Sequence, residues 1–174
     1  MEEKKFVLSM LVRNESGVLT RVSGLFARRG YNIDSLSVGE TEDSSISRIT
    51  IAATGDVCMR GQIFKQLEKL HDVITIEDMD MESIVIRELL LIKINAAQGQ
   101  RLEIMEAVSI FRAKILDLTK TSLSIELTGE RGKCDAFIEY LRPFGIAELC
   151  RTGLTAIARG SGTLKKSSDT ISVK

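Results

Sequence analysis

The apolar positions of this chain trace one pattern twice. Phe6–Val12 is dense in large apolar residues and predicts a strand. The polar turn Asn14-Glu-Ser-Gly17 follows. Val18, Leu19, Val22, Leu25 and Phe26 then recur at helical spacing, with Arg21, Arg28 and Arg29 among the intervening positions. Ser16 is the expected N-cap, and Gly30 suits the left-handed position after the last turn. Tyr31–Val38 and Ile46–Thr54 read as extended runs around a polar turn at Glu40–Ser45. Met59, Ile63, Leu67 and Leu70 form a second helical stripe, and Val73–Ile76 a short strand. The order is β-α-β-β-α-β.

The second half repeats it. Glu88–Ala96 predicts a strand, Gln98–Gln100 a turn, and Leu102, Met105, Val108 and Phe111 a helix. Ile115–Leu118 and Leu123–Leu127 are extended, the latter with clean alternation. Cys134, Phe137, Ile138 and Leu141 mark a helix stopped at Pro143, which cannot continue the hydrogen-bond ladder. Ile146–Ile157 supplies a last strand with an irregularity at Gly153. The pattern predicts an α+β protein: two ferredoxin-like βαββαβ sandwiches in tandem. The expected division is residues 1–82, 83–159 and a solvated, flexible tail over 160–174. One face of each sheet should lack a helix layer. Units of roughly 80 residues bury a modest fraction of their surface, so pairing of sheets or sheet edges into a homodimer or higher oligomer is expected.

Composition narrows the chemistry. The chain of 174 residues has 24 basic and 24 acidic side chains, so a non-specific hold on nucleic acid or an anionic membrane is not expected. RNA readers on this fold use stacking aromatics on central strands, and Ser47–Ala52 has none. One His and three dispersed Cys argue against a zinc cluster or disulfide framework; free thiols fit a reducing, cytoplasmic setting. No apolar run approaches a membrane span, and no signal peptide is read at the N-terminus. The charge balance hides an asymmetry of −4 over residues 1–82 and +4 over the rest.

Candidate chemistry concentrates at the first turn. A helix start offers free N–H groups to a carboxylate. Gly17 would admit a ligand close to the backbone, and Asn14 carries both donors and an acceptor. Asn32 begins the next strand. Taken alone, these are equally ordinary turn and cap residues. Gly24 inside the first helix marks close packing or filler. His71 reads as a helix-end residue beside Asp72. Cys58, Cys134 and Cys150 read as small packing residues. Glu77–Glu82 is a solvated acidic linker or, less simply, a cation site. There is no phosphate-cradling Gly-rich loop. An acylphosphatase-like hydrolase would need an arginine within such a loop, and only Arg13 lies nearby.

The stretch Asn14-Glu-Ser-Gly-Val-Leu-Thr-Arg-Val-Ser-Gly-Leu-Phe-Ala-Arg-Arg-Gly-Tyr-Asn-Ile-Asp-Ser-Leu-Ser-Val38 resembles the regulatory small subunit of acetolactate synthase, also called acetohydroxyacid synthase. Ile46–Ile51, Gln66–Leu70, Arg87–Lys93, Gly132–Phe137, Arg151–Gly153 and Arg159-Gly160 continue the resemblance, which covers about residues 5–160. It implies an ACT domain first and the family's C-terminal ferredoxin-like domain second. It also implies a non-catalytic subunit that activates a catalytic partner and confers feedback inhibition by branched-chain amino acids, valine foremost. Thiamine diphosphate, magnesium and FAD would then lie on that partner, with no cofactor in this chain. The family's effector-site residues fall on Asn14, Gly17 and Asn32, with Ser16, Val18, Leu19 and Ile33 as neighbouring contacts. Departures at Thr41–Ser45 and beyond Gly160 leave the choice among valine, leucine and isoleucine open. A stand-alone ACT-type amino-acid sensor is the alternative.

Overall fold

A computed structural model describes residues 3–96 and 99–164. Gln98 of the second expected turn and the tail beyond Leu164 lie outside the described residues. The chain forms two compact units. One holds the chain up to Val85 and again from Leu154; the other is Ile86–Gly153. Residues from Leu154 to Arg159, expected with the second domain, thus return to the first.

The first unit runs β1 (Lys4–Arg13), α1 (Val18–Arg28), β2 (Ser35–Glu40), β3 (Ile46–Gly55), α2 (Val57–Glu68) and β4 (Val73–Met79). Its antiparallel sheet has the order β2-β3-β1-β4, with Lys4 opposite Gly55 and Arg13 opposite Ile46. Strand alternation sends Phe6, Leu8, Met10 and Val12 to the helix side, where they pack with Val22, Phe26, Ile63 and Leu67. One local reading changes. Tyr31–Asp34 is a loop, so β2 begins four residues later than the apolar pattern suggests. Asp56 caps α2, its carboxylate accepting the Met59 N–H at 2.8 Å.

The other face of this sheet is not open. Val7, Ser9, Leu11, Thr50 and Ala52 are all buried there. The buried Ser9 hydroxyl accepts from Arg48 Nε at 3.0 Å. The returning segment is tied to β2, where Leu154 N–H donates to Ser35 Oγ at 2.6 Å. The expectation of an uncovered first sheet is therefore corrected: local alternation cannot reveal what a segment more than a hundred residues away will cover.

The second unit is carried by β5 (Ile84–Asn95), α3 (Arg101–Ile110), β6 (Lys114–Leu118), β7 (Ser122–Gly129), α4 (Arg131–Leu141) and β8 (Ile146–Arg151). The sheet order is β6-β7-β5-β8. The irregularity expected at Gly153 is a break: Gly153 takes φ 81°, and a separate strand β9 (Thr155–Ala158) follows, pairing with β5. Leu90, Ile92, Ile94, Leu123, Ile125 and Leu127 face Ile104 and Phe137 in its core. Here the face without helices is exposed, at Leu91, Lys93, Leu116 and Cys150. Pro143 lies in a 3-10 turn that ends α4.

Candidate functional site

The turn between β1 and α1 is built by two restraints. Asn14 N–H donates to the Ser45 carbonyl at 2.7 Å, which fastens the turn to the β2–β3 hairpin. Gly17, not Ser16, is the N-cap of α1, in a left-handed conformation at φ 82° that only glycine adopts without strain. No side chain caps the helix, and its first turn carries no acidic residue. Val18 N–H turns back to the Glu15 carbonyl at 3.4 Å, and the Leu19 and Thr20 N–H groups, with no side chain capping them, remain available to an anion.

Asn14 faces the opposite charge. Its Nδ2 donates to Glu40 Oε1 at 3.1 Å and to the Ser44 carbonyl at 2.9 Å. Both amide hydrogens are engaged, so Oδ1 is left as an acceptor, with the Glu40 carboxylate adjacent. One turn thus sets an acceptor for a cation beside donors for an anion, the polarity that a zwitterionic amino acid requires.

The remaining candidates separate. Ser16 is exposed in the turn. Val18 is buried in the core of the first unit, whereas Leu19 is 44% exposed, so Leu19 is the apolar side chain that the turn offers to solvent. Asn32 and the half-buried Ile33 lie beyond the far end of α1. Eleven helical residues, about 16 Å of rise, stand between Asn32 and Gly17. Asn32 donates instead to Asp34 Oδ1 at 3.2 Å, in a polar cleft with Thr54, Asp56 and Gln62. Asn14 and Asn32 of one chain do not converge on one ligand.

The two halves carry family assignments that agree with these folds. Residues 8–75 match the AHAS small subunit-like ACT domain, and residues 87–160 match the small subunit of acetolactate synthase. The acetolactate synthase small subunit of Bacillus subtilis is 44% identical over 173 residues, covering 97% of this chain and 99% of its own. The chain belongs to the acetolactate synthase small-subunit family. The Mycobacterium bovis small subunit is 47% identical over 160 residues, 92% of this chain and 95% of that one. The crystal structure of the acetolactate synthase small subunit from Thermotoga maritima superposes with a TM-score of 0.85 at 41% identity, covering 91% of this chain and 99% of that chain.

Within this small-subunit fold, one group at the turn was not legible from spacing. Asp72, just before β4, is fully buried, and Arg21 Nε on α1 lies 2.5 Å from its Oδ2. The hydrogen bond from Arg21 holds the Asp72 carboxyl below the usual carboxylate range, against the opposing effect of burial. His71, expected at a helix end, is exposed in the turn after α2, with Nε2 2.9 Å from Asp72 Oδ1. Arg21 and Asp72 are 51 residues apart in sequence, and only the fold joins them.

Other candidates resolve into structure. Asp78 of the acidic stretch pairs with Arg60, and among the described residues no group of His, Cys, Asp and Glu is placed to hold a metal. Nothing lies within 4 Å of a Cβ built at Gly24, so no close packing in the chain explains it. Cys134 is buried, and burial together with Glu88 pushes its thiol up to about 11, away from nucleophilic use. Cys58 and Cys150 are exposed, contrary to the packing role expected of them. Among the described residues, no helix is long and apolar enough to cross a membrane.

Proposed function

We propose that this chain is the regulatory subunit of an acetolactate synthase: it activates a catalytic partner and makes it sensitive to branched-chain amino acids, valine foremost. The observation carrying this reading is the polarity of the β1–α1 turn. Asn14 Oδ1 and Glu40 suit an ammonium, and the uncapped start of α1 suits a carboxylate. Leu19 offers apolar contact to a branched side chain. The condensation chemistry, with thiamine diphosphate, magnesium and FAD, belongs in this reading to the catalytic partner.

The separation of Asn14 from Asn32 makes the effector site a property of two chains. β2 is an edge strand. Antiparallel pairing of β2 with its copy about a two-fold axis runs the strands head to tail. The Asn32–Ile33 end of one copy then meets the Glu40 end of the other, where Glu40 holds Asn14. A ligand seated there bridges two ACT domains. It shifts the dimer between arrangements only as far as its affinities for them differ.

Reconstitution with a catalytic subunit tests the reading. Added protein should raise turnover, and valine, leucine or isoleucine should lower it again, with Asn14→Ala abolishing inhibition while sparing activation. Unchanged turnover would contradict the regulatory assignment. Effector binding with no effect on any catalytic subunit would instead mark a stand-alone amino-acid sensor.

A further inference from the structure

The pair between Arg21 and the buried Asp72 is not a requirement of the fold. The second unit closes the corresponding junction without it. In the first unit, Arg13 N–H at the end of β1 donates to the Asp72 carbonyl at 2.9 Å; in the second, Asn95 N–H at the end of β5 donates to the Gly145 carbonyl at 3.0 Å. With Arg13 matched to Asn95 and Gly17 to Gly99, Arg21 on α1 corresponds to Glu103 on α3, an exposed residue, while the buried Val22 corresponds to the buried Ile104. Where the second unit has an exposed Glu103 and Gly145, the first has an arginine and a buried carboxylate. Burying a charge is unfavourable unless it is well paired, and an apolar replacement is often the more stable choice. A pair kept at one junction and absent from its duplicate calls for a role other than closing the turn.

Its geometry indicates that role. Asp72 holds the guanidinium at Nε. On the other side, Arg21 Nη1 lies 3.1 Å from the position a Cβ would take on Gly17. The guanidinium is therefore clamped against the N-cap of α1, and the space Gly17 leaves is filled by Arg21. Nη1 and Nη2 make no hydrogen bond among the described residues, and the side chain is 40% exposed. A planar fork of N–H donors is fixed beside the free N–H groups of the helix start, an arrangement that recognises carboxylates in two-point fashion.

We infer that Arg21 is the carboxylate-recognising side chain of the effector site, and that Asp72 is the residue that positions it. This rests on the amino-acid effector reading above. Gly17 then serves the ligand indirectly, by leaving room for the guanidinium.

Calorimetry on the full-length dimer with L-valine and L-valinol, which lacks the carboxylate, separates recognition from mere structure. The wild type should prefer valine by at least about tenfold, the scale of a hydrogen bond to a charged group. In Arg21→Gln that preference should collapse towards one, through loss of valine affinity with little change for valinol. Arg21→Lys, which keeps a cation beside Asp72 and so protects the fold, should reduce the preference severalfold. Asp72→Asn should reduce it in the same direction. An unchanged valine-to-valinol ratio in both Arg21 variants overturns the inference, even if both ligands weaken. A wild type that binds none of valine, leucine and isoleucine overturns the effector reading itself.

Discussion

The two units start their first helices differently. α1 begins at a left-handed Gly17, with no acidic residue in its first turn and Arg21 folded against the cap. α3 begins at Gln100 in a right-handed conformation, with Glu103 in its first turn. A carboxylate there favours the helix macrodipole and repels an anionic ligand. The sheets differ too: the helix-free face of the first is buried, whereas that of the second exposes Leu91, Lys93, Leu116 and Cys150. On the function proposed above, one topology serves as an effector module in the first half, and in the second it leaves a sheet face exposed. The lesson is that ligand chemistry sits in a handful of turn residues and not in the βαββαβ order.

Core truncations should split the two halves most strongly. Phe26 and Phe137 are equally buried, each on a helix facing its own sheet. Phe26→Ala and Phe137→Ala should each cost about 3–5 kcal/mol, read by hydrogen exchange localised to the unit concerned. Only Phe26→Ala should abolish valine binding; loss of binding in Phe137→Ala alone would break the division of labour.

A smaller effect should follow at the two helix starts. Gly17 and Gly99 both have positive φ, so alanine at either should cost about 1–2 kcal/mol. At Gly17 the added Cβ also meets Arg21, whereas nothing lies within 4 Å at Gly99. Gly17→Ala should therefore lose effector response, and Gly99→Ala should keep it. Equal responses would mean that Gly17 is only a turn residue.

The mildest contrast is in acid. Asp72 faces Arg21, His71 and Arg13, and its carboxyl lies below the usual range. A carboxylate whose pKa falls on folding stabilises the protein above its unfolded value of about 3.9. That contribution disappears as the pH falls through the folded value. Asp72→Asn should melt below the wild type at neutral pH, and the gap should close as the pH drops below about 4. A gap independent of pH would show that the carboxylate charge contributes nothing at this junction.

Much of this was legible along the chain. The apolar periodicity placed all four helices, and Gly30 does take a left-handed conformation after α1, its N–H donating to Ala27. Asn14, Gly17 and Asn32 stood out because turn residues are local. Three features were not legible, for physical reasons. Ser16 yields the cap to Gly17 because the chain needs positive φ there, a condition that residue preference alone does not disclose. Val18 satisfies the helical stripe and so goes to the core, leaving Leu19 outside. The Arg21–Asp72 pair and the Ser35–Leu154 bond join residues far apart in sequence, which no periodicity encodes.

The central claim is that one effector site takes Asn14 from one chain and Asn32 from another. Mixing Asn14→Ala and Asn32→Ala dimers tests it most directly, with valine binding measured after subunit exchange. Each variant alone should bind no valine. Statistical mixing makes half the dimers hybrids with one intact site each, so about a quarter of wild-type capacity should return. No recovery after verified exchange, or full binding by either variant alone, would contradict a site shared between two chains.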